Sequence, residues 1–462
     1  MNSVLGHFSG NRDKITETMT QAKDKNCQLV VFPELALYGY SPSDLLERED
    51  LIDGQSRELE KLRKKIPKGI SALVGCVTKA KATKGKPYHN SVQLLGAKEK
   101  IFHKSLLPSY DVFDETRFFR PGDVKKNIFT MNGYKILVLI CEDIWCWDKN
   151  RYENILKSVK SSNPDVVLSI NASPFAYGKQ RRRLSMAQQT ATYFKSPVIY
   201  VNMVGGQDEL VFDGCSFAVD KKGSLLAQSA AFNEDLNIID LKKLIGGKRD
   251  LPKLKNQWHH EALVLGLRDF ADKNRIKKVH LGLSGGIDSA VVACLAADAL
   301  GPMNVTCLGL PGPYNAKMSL SLAEKLAKNI GCQFESIPIE SIYNAQLKSF
   351  ESSFGDLEFG LVHENLQARI RGSLLMMYSN HKNSMLLNTS NKCEMATGYS
   401  TLYGDLCGGL APLGDLLKKE VYDLASYYNQ SYELIPEEII TRPPTAELPP
   451  DQKDADSLPP YD

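Results

Sequence analysis

The chain has 462 residues, 43% hydrophobic and 24% charged, a composition that excludes a disordered, collagenous or coiled-coil protein. At about 150 residues per domain, the length predicts two large domains or three ordinary ones. Lys plus Arg number 57 against 54 for Asp plus Glu, and the net charge of +3 is too weak to argue for a nucleic acid or an anionic membrane as partner.

In chain order, one helical pattern precedes the first β-branched run at residues 29–32, which leads directly into Pro33 and Glu34. A second run covers 70–77, Lys104 follows Lys100-Ile101-Phe102-His103, and the near-continuous apolar run 134–140 ends at Cys141. Runs at 165–171 and 198–201 continue the alternation of strands with helical patterns, which predicts α/β layering. Taken singly, Cys141 reads as an inert buried thiol, Glu34 as a surface acid and Lys104 as a solvated amine. Taken together at strand ends, they supply a general base, an ammonium for an oxyanion and a nucleophile, the set that thioester-forming amide hydrolysis requires.

Phe32-Pro33-Glu34, His103-Lys104 and Cys141-Glu142-Asp143 resemble the three signatures of the nitrilase, or carbon-nitrogen hydrolase, superfamily. The resemblance implies an α-β-β-α sandwich with Glu34 as base, Lys104 as oxyanion partner and Cys141 as the acylated thiol. Gly39-Tyr40, residues 107–115 and Asn171-Ala172-Ser173-Pro174-Phe175 are similar to the glutaminase domain of glutamine-dependent NAD synthetases. By that likeness Tyr110, Ser173 and Lys179 contact L-glutamine, with Arg181, Arg182 and Arg183 crowding Lys179. The family carries a strand ahead of the segment matching residues 1–10, so an incomplete start is expected.

A basic, glycine-containing stretch around 240–255 reads as a connector, which predicts domains at 1–245 and 263–462 with residues 246–262 between them. Next come a strand at 279–283, the loop Ser284-Gly285-Gly286-Ile287-Asp288-Ser289 and an apolar-faced helix at 290–300. Glycines let the backbone approach an anion and the helix start offers free N–H groups, so a phosphate is expected there. No Lys precedes the final Ser, so the loop is not a Walker A sequence. Asp288 suits Mg²⁺, which takes one or two carboxylates plus phosphate oxygens. A strand at 305–310 follows. Asn365, Arg369 and Gly372 share one helix face, where an arginine suits a substrate phosphate. The run 385–387 ends at Asn388, Thr389 and the acid Glu394. Residues 435–462 hold seven prolines with several acids and read as an extended or mobile segment.

The loop resembles the pyrophosphate loop of N-type ATP pyrophosphatases, and residues 388–418 resemble the synthetase domain of NAD synthetases. This second resemblance implies a Rossmann-like, doubly wound parallel sheet of the adenine nucleotide alpha hydrolase type. It puts ATP at Gly282, Leu283, Ser284, Gly285, Gly286, Ile287, Asp288, Ser289, Thr389 and Lys418. Mg²⁺ falls at Asp288 and Glu394, and deamido-NAD at Asn365, Arg369 and Glu394. Residues 310–315 replace a Ser-rich segment, which leaves the adenine contacts open, and the family continues into a basic tail beyond residue 462, so a C-terminally incomplete domain is expected.

The implied activity is ATP-dependent amidation of deamido-NAD with ammonia from L-glutamine, passed between the domains in a shielded route. Mg²⁺ is the implied cofactor, ATP the co-substrate, and a homo-oligomer the implied assembly. A truncated ATP-binding remnant and another glutamine-dependent, AMP-forming amidotransferase are the alternatives. The ten dispersed cysteines predict free thiols, and no CxxC pair suggests a metal. No apolar run reaches the ~18 to 20 residues of a membrane span and the start lacks a signal peptide pattern, so a cytoplasmic location is expected.

Overall fold

The computed structural model describes residues 1–81, 84–147, 154–314 and 317–443. It divides into two compact units, Met1–Lys253 and Leu254–Asp462, each built on its own sheets. All ten cysteines are free, and among the described residues no helix is long and apolar enough to cross a membrane.

In the first unit, a four-stranded sheet runs in the order Leu29–Val31, Ser71–Lys79, Tyr88–Leu95, Lys100–His103. A six-stranded sheet runs Leu225–Gln228, Phe217–Val219, Val198–Asn202, Val166–Asn171, Tyr134–Ile140, Ile128–Met131. Period-two alternation sorts the side chains between two layers of core. Ile136, Val138 and Ile140 meet Leu73, Val92 and Phe102 between the sheets. Leu137 and Leu139 point the other way, onto Ala187, Ala191 and Phe194 of the helix Lys179–Phe194. On the outer face of the first sheet, Ile15, Met19 and Ala22 of the helix Phe8–Asp24 pack beside Leu59 and Leu62 of the helix Glu49–Lys65. The result is a helix, sheet, sheet, helix layering.

No strand forms over residues 1–6. Those residues are held instead by Asn11, whose side chain accepts from Val4 N at 2.9 Å and donates to Val4 O at 2.8 Å, and by Ser3 Oγ, which donates to Ala36 O at 2.9 Å. Leu29–Val31 is the edge of its sheet among the described residues.

The second unit holds a four-stranded parallel sheet in the order Gln333–Ser336, Val305–Gly309, Val279–Gly282, Met385–Leu386. The chain forms Val279–Gly282 first, steps outward twice, then returns to the other side. This reversal of strand order creates a crevice at the carboxyl ends of Val279–Gly282 and Met385–Leu386, where α/β sheets bind ligands. The helix Ile287–Leu300 rises from the loop after Val279–Gly282 and is buried on nearly every face, through residues such as Val291, Leu295 and Ala296.

Two segments depart from the sequence expectation. The stretch expected as a connector pairs Ile239–Asp240 with Ile245–Gly246, and the helix Lys255–Lys273 begins inside residues 246–262. In the proline-rich segment, Pro436 opens a short packed helix, Glu437–Thr441, with Ile435 and Ile439 in the core. Proline suits a helix start because its missing N–H has no partner to lose there. The rest of that segment, residues 444–462, lies outside the described residues.

Candidate functional site

Three strand ends of the first unit meet where its two sheets face each other. Glu34 follows Leu29–Val31, Lys104 follows Lys100–His103, and Cys141 follows Tyr134–Ile140 as the first residue of a 3-10 helix, Cys141–Trp147. All three are buried. Lys104 Nζ donates to Glu34 Oε1 at 2.7 Å and to Glu115 Oε1 at 2.7 Å, so one ammonium lies between two carboxylates. Glu34 Oε2 accepts from Ala172 N at 2.8 Å. Cys141 has φ +45°, an uncommon conformation for a residue with a side chain, which marks the turn from strand to helix at the thiol. Glu115, which the sequence reasoning missed, comes from the short helix Glu115–Phe118 and also accepts from Tyr40 Oη at 3.0 Å. It was the last residue of the stretch matched at 107–115, but no local pattern distinguishes it from a surface acid.

Burial governs the electrostatics here. It pulls the Lys104 ammonium down, but Glu115 and Glu34 outweigh it and hold Lys104 well above the usual lysine range. Burial, with Glu34 adding to it, pushes the Cys141 thiol well above the cysteine range in spite of Lys104. Cys141 is therefore held as a thiol, which would need a base to act as a nucleophile. Burial also raises Glu115 against the opposing pull of Lys104. Asp143, raised to about 6 by burial, organises the turn by accepting from Ile140 N, Ser105 N and Leu106 N.

The residues expected around glutamine lie near this centre. Tyr110 Oη donates to Glu142 Oε1 at 2.9 Å. Ser173 Oγ accepts from Arg183 Nε at 3.1 Å, and Arg183 is fixed further by Asp213 at 2.6 and 2.8 Å. Lys179 opens the helix Lys179–Phe194; burial and Arg183 lower its ammonium to about 8, while Cys141 and Glu142 raise it. Of the neighbouring arginines, Arg183 is buried in its own pairings, while Arg181 and Arg182 are exposed.

In the second unit the crevice encloses a cavity of about 310 Å³, lined by the whole loop from Gly282 to Ser289 together with Thr389, Glu394 and Lys418. The loop is braced internally: Ser284 Oγ and Ser289 Oγ are 3.1 Å apart, and Gly286 N donates to Ser284 Oγ at 3.2 Å. Gly285 has φ +82°, and a Cβ there would lie 2.4 Å from Ser319 O, so this position needs glycine on two counts. Lys418 Nζ is hydrogen-bonded to Asp288 Oδ2 and lies 4.0 Å from Glu394 Oε1. Asn391 Nδ2 donates to Asp288 Oδ1 at 3.0 Å, while Asn391 N donates to Glu394 Oε2 at 3.1 Å. Asn391 thus ties the two acids together, and sequence reasoning had given it no role.

Asn365 and Arg369 are placed differently. Thr401 Oγ1 donates to Asn365 Oδ1 at 2.7 Å, and Arg369 Nε donates to Leu402 O at 3.2 Å, so this helix face carries the 401–405 loop and neither residue lines the cavity. Gly372 permits the close fit, since a Cβ there would lie 2.9 Å from Gly404 O. The next faces of the helix, with Ala368, Arg371 and Leu375, do line the cavity. From the segment 310–315, Leu310 and Pro311 line the cavity, and Asn315 lies outside the described residues.

Among the described residues, no group of three or more His, Cys, Asp or Glu side chains could hold a metal on protein ligands alone. Asp288 and Glu394, both flanking Lys418 Nζ, are the donor set that a Mg²⁺ ion shared with phosphate oxygens takes.

Residues 1–249 match the carbon-nitrogen hydrolase family and residues 259–462 match the NAD synthase family. The whole chain is similar, at 42% identity over 477 aligned positions, to a glutamine-dependent NAD(+) synthetase of Synechocystis, and spans 85% of that relative's length. It is 37% identical over its whole length to the enzyme of the same name from Thermotoga maritima, covering 86% of it. A solved structure of the glutamine-dependent NAD+ synthetase from Acinetobacter baumannii, in complex with ADP, superposes with a TM-score of 0.88 at 35% identity, over 97% of this chain and 84% of that one.

Proposed function

The chain belongs to the family of glutamine-dependent NAD(+) synthetases, and on that premise we propose how its residues carry out the ATP-dependent amidation of deamido-NAD to NAD with nitrogen from L-glutamine. One observation carries the reading: a Glu-Lys-Cys centre and a Ser-Gly-Gly-x-Asp-Ser phosphate loop, each fully formed, occur in one chain.

In the first unit, Glu34 takes the Cys141 proton as the sulfur attacks the glutamine side-chain carbonyl. The oxyanion forms beside the Lys104 ammonium, which two carboxylates keep charged. Collapse breaks the C–N bond, Glu34 returns the proton to the departing amine, and ammonia leaves a glutamyl thioester on Cys141. Water, deprotonated by Glu34, then cleaves the thioester to glutamate and free thiol. Lys179 pairs with the α-carboxylate of glutamine, and Tyr110 and Ser173 complete its pocket.

In the second unit, the nicotinate carboxylate of deamido-NAD attacks the α-phosphorus of ATP. Diphosphate departs against the loop from Ser284 to Ser289, whose backbone N–H groups and helix start favour an anion. Thr389 and Lys418 hold the nucleotide, Glu394 contacts deamido-NAD from the cavity, and Asn365 and Arg369 meet it beside the 401–405 loop that they hold. Asp288 and Glu394 would hold Mg²⁺, which neutralises phosphate charge when bound. Ammonia attacks the acyl adenylate and AMP is released.

A homo-oligomer belongs to the same reading, supported by exposed apolar side chains such as Phe354, Leu361, Met377 and Tyr403 on the second unit. The test is direct: purified protein with glutamine, ATP and deamido-NAD yields NAD and AMP in equal amounts, and yields neither when ATP is withheld.

A further inference from the structure

Asn90 lies in the strand Tyr88–Leu95, opposite Val77, and is fully buried beside the Glu34-Lys104 pair. Its backbone O accepts from Lys104 N at 2.9 Å, extending the ladder just past the Ser91–His103 pairing. Its side-chain Nδ2 donates to Glu34 Oε1 at 2.7 Å, the same oxygen that Lys104 Nζ reaches. One residue thus fixes both the lysine backbone and the carboxylate of the base. The amide orientation follows from chemistry, because the opposite flip would set two acceptors against each other.

The other end of the amide is informative. Asn90 Oδ1 is buried with no hydrogen-bond partner among the described residues. An amide retained for fold stability would satisfy both ends, since a buried unpaired acceptor is costly. Here the side chain makes one bond, and that bond goes to the general base.

We infer that Asn90 is a positioning residue for amide hydrolysis: with Lys104 it occupies Glu34 Oε1, so that Oε2, which among the described residues accepts from Ala172 N alone, is the oxygen left to exchange protons with the Cys141 thiol. The inference rests on reading Glu34 as the base. The charged and titratable groups around that carboxylate are Lys104, Glu115, Tyr40 and Cys141. Removing the Asn90 donor frees Glu34 Oε1 on one side, and Asn90→Asp sets a further carboxylate beside Glu34 and Glu115. Either change lets the Glu34 carboxylate turn out of line with the thiol.

The experiment follows glutamine hydrolysis and NAD formation from ammonium chloride in full-length Asn90→Asp, Asn90→Ala and Glu34→Gln. In N90D, kcat for glutamine hydrolysis falls about 100-fold, the scale of general-base catalysis, while KM for glutamine stays within about threefold of the wild type. N90A lowers kcat by less, again with KM little changed, and stands in should N90D not fold. Ammonia-driven synthesis stays within about threefold of the wild type in both. The inference is overturned if the folded variants keep the wild-type kcat for glutamine hydrolysis or lose it only through KM, or if ammonia-driven synthesis falls in parallel, which would mark a purely structural residue. Loss of glutaminase in E34Q alongside unchanged kcat in the Asn90 variants sinks the Asn90 role alone, whereas an active E34Q sinks the reading of the base.

Discussion

Cys141 carries its chemistry only by virtue of its neighbours. Burial and Glu34 push the thiol well above the cysteine range, so at neutral pH the sulfur holds its proton until a base removes it. Cys141→Ala therefore lowers glutamine-dependent NAD formation at least about 1,000-fold while leaving the ammonium-driven reaction near the wild-type rate. Assays with the two nitrogen donors side by side check this. Lys179 makes a pH-dependent prediction. With its ammonium lowered to about 8, the charged form proposed to pair with the glutamine α-carboxylate is lost as pH rises through that value. KM for glutamine then climbs above pH 8, and Lys179→Arg flattens the rise because arginine keeps its charge. Glu34, Lys104 and Cys141 were legible in the sequence because each terminates a strand in a recurrent local text. Glu115 and Asn90 were not, because their roles arise only when the fold brings them to Lys104 and Glu34, and an acid in a short helix or an amide in a strand has many other uses.

Sequence patterning succeeds or fails at the level of elements according to what covers each face. Runs such as 134–140 and 166–171 are apolar because they are buried on both sides, and they read as strands at once. Tyr88–Leu95 is just as deeply buried, but it carries His89, Asn90, Ser91 and Gln93 and so lacks an apolar pattern. Asn90 is polar where it borders the buried Glu34-Lys104 pair. The tight loop at 284–289 was legible because its constraint is steric. Gly285→Ala forces a side chain into a left-handed conformation and against Ser319 O, costing about 1 to 3 kcal/mol of local strain. It raises KM for ATP while glutamine hydrolysis persists.

The strand that precedes Lys104 carries a titration of its own. His103 stacks on His89 with ring centroids 4.1 Å apart, and burial, then His89 and Lys126, lowers it to about 4. Between its unfolded value of 6.5 and about 4, the folded chain binds fewer protons at His103 than the unfolded one, so this contribution to stability is lost as pH falls through that window. Glu115 and Asp143, raised by burial, act in the opposite sense. The His103 effect is therefore read as a difference: the melting temperature of His103→Gln declines less on acidification than that of the wild type.

At the scale of the whole molecule, two units with separate sheets and cores hold two separate chemistries. Damage to each is accordingly predicted to be separable. Asp288→Asn lowers NAD formation from either nitrogen donor about 100-fold or more, while glutamine hydrolysis continues, the mirror image of the cysteine variant. The architecture of both halves was legible because each rests on alternating strands and helices with a distinctive motif at a strand end. For Asn365 and Arg369, helical spacing gave the shared face but not the 401–405 loop that this face carries.

The account as a whole is tested most directly by following one nitrogen atom. Purified protein is given deamido-NAD, ATP and glutamine labelled with nitrogen-15 at the side-chain amide, with unlabelled ammonium in the surrounding buffer, and the NAD formed is analysed by mass spectrometry. The account predicts NAD carrying the label in its carboxamide, with one AMP released per NAD, and no labelled NAD from Cys141→Ala. Labelled glutamine consumed without labelled NAD, or labelled NAD formed by the cysteine variant, would contradict it.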